Sequence, residues 1–277
     1  MRIVEKDGAF HLQGVTCFDL ALTLDCGQCF RWEECPDGFW QGMVLGRFCR
    51  VCQKKSTLIF THTDRKTIRR FWIPYFGLDE DYSALCQSFC TDAVLKKAVD
   101  FAPGIRVLRQ DPWETLCSFI ISQNNNIPRI RGIIGRMCDL LGEDVGAPMA
   151  AFPTPQRLAA CTLEDLAPLR AGFRARYLID AAQKAASGQT DLTRLSALPT
   201  DEARRQLMQI CGVGTKVADC VLLYSCGKDE VVPMDVWMKR VLAVYYPEGF
   251  PTHLADRLGI AQQYLFHYAR HHGQEVK

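Results

Sequence analysis

Lys216 and Asp235 are the residues whose types and settings suit covalent chemistry in this chain. Lys216 ends the run Gly212-Val213-Gly214-Thr215-Lys216, which lies between two segments whose apolar residues recur at helical spacing. A short glycine-bounded turn joining two helices is a helix-hairpin-helix. Glycines at both ends are expected to take positive φ and bring the backbone close to a ligand, and the N–H groups opening the second helix lack intrahelical partners. Such a corner favours a phosphate. Lys216 stands in the first turn of that helix, and its amine is a candidate nucleophile. Nineteen residues later, Val232-Pro233-Met234-Asp235-Val236 places Asp235 just before a further helical run. There it reads as an N-cap whose carboxylate is held in one place. Taken singly, a lysine at a helix start is more often a solvated surface residue. A P-loop is excluded, because the order G-x-x-x-x-G-K-[ST] is not present here.

The hairpin glycines, the helix-start lysine and the capping aspartate after Val232-Pro233-Met234 together resemble the signature of the helix-hairpin-helix (HhH-GPD) DNA glycosylase superfamily. Within it the chain is similar to the 8-oxoguanine DNA glycosylase/lyases. Gly212-Val213-Gly214-Thr215-Lys216-Val217-Ala218-Asp219-Cys220 carries the resemblance most sharply. Gln110-Asp111-Pro112, Ser122-Gln123-Asn124-Asn125-Asn126-Ile127, Gly172-Phe173-Arg174-Ala175-Arg176-Tyr177 and Gly27-Gln28-Cys29-Phe30-Arg31-Trp32 extend it from about residue 20 to about residue 270.

The resemblance implies a bifunctional enzyme of base excision repair, acting as a monomer on double-stranded DNA. A base in duplex must be turned out of the stack before its sugar can be attacked, at a cost of a few kcal/mol, so a pocket is needed. Lys216 would attack the sugar C1′ and pass through a Schiff base to β-elimination, with Asp235 assisting deprotonation and stabilising positive charge on the sugar. Gln262 and Phe266, four apart on the final helix, share one face and would read and stack on the base. Cys220, one turn after Lys216, would line its other side, with Pro233 nearby. Gly27 would aim its carbonyl at N7, which oxidation converts from an acceptor to a donor. Read without the resemblance, these are an ordinary amphipathic helix and a turn glycine.

Asn124-Asn125-Asn126, next to Arg129, would fill the vacated space and bond the orphaned base, and Arg129 with Arg174 would satisfy cytosine opposite the lesion. Phe173 stands where a tyrosine is common. Trp237 stands where relatives often carry a histidine that touches a phosphate, so that contact is either lost or taken over by the indole N–H. Gly212 and Gly214 would hold backbone phosphate. No cofactor is expected, and with no cysteine after Cys226 the four-cysteine iron–sulfur cluster of endonuclease III-like relatives is not expected. The hairpin is a candidate seat for a structural monovalent cation. Two alternatives are a superfamily member with another lesion preference and a non-enzymatic hairpin module, the second disfavoured because backbone binding needs neither Lys216 nor Asp235.

Composition agrees with these readings. A chain of 277 residues can bury a substantial core, and a formal charge of only +2 leaves DNA binding to local patches such as Arg129, Arg131 and Arg136 or Arg170, Arg174 and Arg176. No long apolar run suggests a signal peptide or a membrane span, and fourteen cysteines suggest reduced thiols in a cytoplasmic or nuclear setting. Cys26-Gly27-Gln28-Cys29 and Cys49-Arg50-Val51-Cys52 have roughly zinc-ribbon spacing. The second pair, though, ends an alternating run without a knuckle glycine and reads as strand.

The elements that must position these residues form an α+β chain. Alternating segments at Phe39 to Leu45, Phe48 to Cys52 and Thr57 to His62 predict an antiparallel sheet in residues 1–102, followed by helical turns at Thr67 to Phe76 and Ser83 to Cys90. Helical periodicity then governs a mostly α-helical glycosylase region over residues 103–277, with the active site in a cleft between its lobes.

Overall fold

The computed structural model describes residues 1–272. Six antiparallel strands form one sheet in the order β1-β2-β6-β5-β4-β3. They are β1 Arg2–Lys6, β2 Ala9–Gln13, β3 Trp32–Glu34, β4 Trp40–Val44, β5 Arg47–Lys54 and β6 Thr57–Thr61. The β1–β2 hairpin, which the sequence reading passed over, turns at Asp7-Gly8, both with positive φ. That is the Asp-Gly pair a tight hairpin prefers. Period-2 alternation puts Leu12, Trp40, Cys49, Val51, Leu58 and Phe60 into one buried layer, closed by Trp72, Tyr75 and Phe76. Gly42 sits opposite Trp32 in the β3–β4 register, and a Cβ there would meet the indole at 2.5 Å. Glycine is what lets the ring lie flat on the sheet.

The two hydrophobic cores interleave along the chain, with Cys26 and Phe30 packed among the helices and Leu108 against the sheet. Helices Tyr82–Phe89 and Ala93–Phe101 bury Tyr82, Phe89, Leu95 and Ala98 in the helical core. The change at 103 is one of sequence period, not of packing. The helices that follow include Pro112–Ser122, Ile127–Leu141, Arg174–Ala186, Thr200–Leu207, Thr215–Cys226, Val236–Tyr245 and Leu258–His272. Within the region of helical periodicity, residues 163–166 form a turn leading into a short 3-10 segment at Ala167–Leu169.

Arg106 bolts the two parts together. Its buried guanidinium donates to the carbonyls of Thr16, Cys17, Gly77 and Glu80 and lies 4.3 Å from the Tyr82 ring centroid. A charge buried this deeply is tolerable because its donors are spent on main-chain carbonyls. Among the described residues no helix is long and apolar enough to cross a membrane.

Candidate active site

The hairpin joins Thr200–Leu207 to Thr215–Cys226. Gly212 has φ +76°, and a Cβ on it would overlap the Tyr177 ring at 2.4 Å, so the position demands glycine twice over. Gly214 differs from expectation. Its φ of −96° and ψ of −179° are extended, and it serves as the N-cap of the lysine helix, with nothing within 4 Å of where a Cβ would stand. Its role is therefore clearance: the open side lets a ligand reach the first free N–H groups of the helix. The two helices are pinned by Arg204 Nε to Asp219 Oδ1 at 2.6 Å. Asp180 accepts from the Cys211 amide at 2.6 Å and from Lys184 Nζ at 2.9 Å, and Lys184 also donates to the Gln209 carbonyl at 2.8 Å. One hairpin carbonyl thus already faces an ammonium.

Lys216 is half-buried in the first turn, its Nζ 5.0 Å from the Phe119 ring centroid. The lysine helix ends at Gly227, which takes φ +68°, and the chain then runs back to Asp235. Asp235 caps Val236–Tyr245 as expected, accepting from the Met238 amide at 2.7 Å with one oxygen. The other oxygen accepts no hydrogen bond from the described residues. The return segment is held by the last helix: the Gly259 amide donates to the Asp229 carbonyl at 2.8 Å, and a Cβ on Gly259 would stand 2.3 Å from the Val231 carbonyl oxygen.

These elements converge on a cavity of about 70 Å³ lined by Cys26, Gly27, Phe119, Lys216, Cys220, Tyr224, Pro233, Asp235, Gln262 and Phe266. Both residues read as catalytic and all five read as base-contacting lie on it. It is far narrower than the cleft of about 630 Å³ described below. Cys26, Phe119 and Tyr224 complete the lining and were not foreseen. Phe119 and Tyr224 stack 5.4 Å apart at 17°. Apolar residues in apolar helical runs carry no signal that separates pocket wall from core.

Two polar groups in the pocket are left unspent. The Gly27 loop, with φ +90°, is locked on both sides: the Cys26 carbonyl accepts from Gln263 Nε2 at 3.2 Å and the Gln28 carbonyl from Gln110 Nε2 at 2.8 Å. The buried Gln28 amide adds bonds to the Thr23 and Arg106 carbonyls and to the Leu108 amide. The Gly27 carbonyl between them accepts none from the described residues. Gln262 is 3% exposed, and its Oε1 is buried without a partner. A buried acceptor left unpaired is costly and awaits a donor. Burial pushes the Cys220 thiol up to about 11, against the pull of Lys216, so it stays neutral beside the amine.

The residues read as DNA-binding lie outside this cavity and divide by how their donors are used. Asn124 is exposed at φ +48°, whereas Asn125 bonds the Ile121 carbonyl and Asn126 caps Ile127–Leu141. Arg129 is exposed, and Phe173 is 47% exposed. Arg174, expected to read a base, is only 3% exposed and donates to the carbonyls of Gln123, Asn124 and Ala171, with Phe173 stacked 4.5 Å from its Cζ. Its visible work is to hold the Asn124 loop. The Trp237 indole N–H is buried without a partner, which favours loss of the phosphate contact over its replacement. Arg131 pairs with Asp25 at 3.1 Å and Arg136 with the Leu169 carbonyl.

A wider cleft of about 630 Å³ lies elsewhere, lined by Asp111, Trp113, Glu114, Phe152 and Arg157 among others, and it contains neither Lys216 nor Asp235. All fourteen cysteines are free thiols. Cys26 packs in the helical core, while Cys29 and Cys49 pack in the sheet core. Among the described residues no three His, Cys, Asp or Glu side chains gather as a metal site.

Residues 12–116 match the family model of the 8-oxoguanine DNA glycosylase N-terminal domain, and residues 117–250 match that of the HhH-GPD superfamily base excision DNA repair proteins. The chain is 31% identical to an N-glycosylase/DNA lyase of Saccharomyces cerevisiae, over 80% of this chain and 66% of the yeast protein. It is 29% identical to a probable N-glycosylase/DNA lyase of Methanothermobacter thermautotrophicus, over 92% and 95%. The fold superposes on the Clostridium acetobutylicum 8-oxoguanine glycosylase/lyase bound to duplex DNA with cytosine opposite 8-oxoguanine, with a TM-score of 0.91, 34% identity and 99% of each chain covered. It superposes equally on MBOgg1 in complex with a low-affinity DNA ligand, with a TM-score of 0.92, 42% identity and 99% of each chain covered.

Proposed function

The chain belongs to the 8-oxoguanine DNA glycosylase/lyase family of the HhH-GPD superfamily, and on that premise we propose that it excises 8-oxoguanine from duplex DNA through a lysine Schiff base. It is a DNA N-glycosylase with lyase activity. The observation that carries the reading is one cavity that joins Lys216 and Asp235 to two unspent acceptors, the Gly27 carbonyl and Gln262 Oε1. Both are what 8-oxoguanine requires: N7–H is a donor only in the oxidised base, and N1–H with the N2 amino group presents donors to the glutamine. Guanine would set its N7 lone pair against the Gly27 carbonyl.

In the proposed sequence the base is extruded and enters between Cys220 and Phe266, which must part to admit it. The Lys216 amine attacks C1′, and the C1′–N9 bond breaks with its electron pair on the base. Asp235, with one oxygen fixed by the helix cap and one free, stabilises positive charge on the sugar and relays the lysine proton to the leaving base. Opening of the sugar ring at O4′ gives the Schiff base. Loss of a C2′ proton then expels the 3′ phosphate, and water hydrolyses the imine to free the lysine. No step calls on a cofactor. A structural monovalent cation at the hairpin stays part of the proposal, beside the Lys184 ammonium that meets the Gln209 carbonyl.

We further propose that Asn124 and Phe173 fill the space left by the base and that Arg129 satisfies O2 and N3 of an opposite cytosine, with Arg174 acting through the loop it holds. The proposed steps call on residues of one chain alone, and action as a monomer is part of the proposal. A DNA-repair role places it with DNA, in a nucleoid or a nucleus.

The test is borohydride reduction in the presence of an 8-oxoguanine duplex. Wild type should become covalently joined to the DNA, and Lys216→Gln should bind without joining. Trapping that persists in Lys216→Gln would refute the nucleophile.

A further inference from the structure

The stripe of the final helix that holds Gln262 and Phe266 does not stop there. One turn further on, Arg270 lies on the same face. Its Cζ stands 5.8 Å from the Phe266 ring centroid, and its Nη1 would be 3.9 Å from a Cβ built on Gly27. The guanidinium thus lies between the Phe266 ring and the Gly27 loop, two lining elements of the cavity, without itself lining it. Arg270 makes no hydrogen bond or ion pair with the described residues. The nearby carboxylate of Asp25 is paired with Arg131. His267, one turn back, offers no counter-charge, since burial together with His271 and Arg270 holds it down at about 4 and therefore neutral.

Resting on the proposed excision of 8-oxoguanine, we infer that Arg270 is a specificity residue that donates to the C8 oxygen of the lesion. A purine whose Watson–Crick edge meets Gln262 and whose N7 meets Gly27 has C8 at the end of the pocket where Arg270 stands, since C8 is bonded to N7. The Gly27 carbonyl and the Arg270 guanidinium then form an acceptor and donor pair matched to N7–H and C8=O. Guanine mismatches both, presenting a lone pair to the carbonyl and a C–H to the cation. A guanidinium suits this place because its planar fork of five donors is still unspent and always charged.

The experiment measures duplex binding in a Lys216→Gln background, which removes the chemistry. The duplexes carry 8-oxoguanine, guanine or a tetrahydrofuran abasic analogue at one position. Arg270→Met keeps the packing of the stem on Phe266 and removes the donors. It should weaken 8-oxoguanine binding by about ten- to a hundredfold while leaving the tetrahydrofuran duplex unchanged, and Arg270→Lys should recover part of the loss. Equal loss on both duplexes, with the salt slope reduced by about one, would make Arg270 a phosphate clamp and overturn the inference. Full 8-oxoguanine preference in Arg270→Met would overturn it too, whether or not Arg270→Ala is impaired, because packing alone would then suffice. These failures are separable from failure of the excision reading, which shows in wild type as absence of borohydride trapping on 8-oxoguanine DNA.

Discussion

The base pocket and the loop that would face the opposite strand are built on opposite plans. In the pocket the protein spends hydrogen bonds around the functional atoms and leaves those atoms free: the carbonyls before and after Gly27 are occupied, its own is not, and Gln262 Oε1 is buried unpaired. At the Asn124 loop the most buried charged residue, Arg174, is consumed by main-chain carbonyls, and the side chains left free are the exposed Asn124, Arg129 and Phe173. The difference teaches that a residue whose donors are filled before DNA arrives positions others. A residue whose polar atoms are held unsatisfied is poised to read. Leaving a buried acceptor unpaired costs about 1–3 kcal/mol, which the folded protein sustains where a ligand later supplies the donor.

The largest effect should come from Asp235, where cap and chemistry meet in one side chain. Asp235→Asn keeps an N-cap about as good as aspartate, so the melting temperature should change little while single-turnover excision slows by roughly two to three orders of magnitude. A folded Asp235→Asn protein that excises at nearly the wild-type rate would remove the electrostatic role.

The two arginines of the loop provide the sharper test of the comparison. Arg174→Ala leaves the Gln123, Asn124 and Ala171 carbonyls without a donor, so stability should fall by about 1–3 kcal/mol and excision should drop opposite all four bases alike. Arg129→Ala, on an exposed side chain, should shift stability by no more than about 0.5 kcal/mol and lose about 1–3 kcal/mol of preference for cytosine. Excision rates opposite each base, measured beside urea midpoints, decide it. Matching patterns in the two variants would erase the distinction between positioning and reading.

The smallest effect belongs to a buried pair outside the pocket lining. Glu114 lies 3.5 Å from Arg31, and burial pushes its carboxyl up to about 7, with Arg31 pulling it back and Asp111 adding to the rise. The folded protein therefore keeps a proton that the unfolded chain gives up above its ordinary value of 4.5. The stabilisation from that proton is complete below 4.5 and is lost as pH rises through about 7. His267 works in the opposite sense, since its folded value near 4 lies below the ordinary 6.5 and its contribution is lost as pH falls. Comparing Glu114→Gln with wild type isolates the first: the variant's urea midpoint should vary less from pH 5 to pH 8, by on the order of 2 kcal/mol in stability. Parallel profiles would show that Glu114 does not titrate in that window.

Most of the framework was fixed by local rules that a sequence carries in full. The period of the apolar residues gave the strands of residues 40–61 and most of the helices, glycine and aspartate punctuation gave the hairpin and the Asp235 cap, and the hairpin motif with its lysine pointed to the glycosylase family. Asp7-Gly8 carried an equally plain hairpin signal that was not used. What only the tertiary structure decided is which polar atoms are already taken. Arg174, Arg131 and Arg129 are alike as letters, yet the first is buried on three carbonyls, the second is paired to Asp25 and the third is exposed. Likewise, Gly214 looks like Gly212 in the motif but adopts extended backbone, and the indole of Trp237 turns its N–H inward. A hydrogen bond between residues far apart in the chain depends on where folding brings them, and no spacing in the sequence encodes whether a donor will find its acceptor within the protein or be left for DNA.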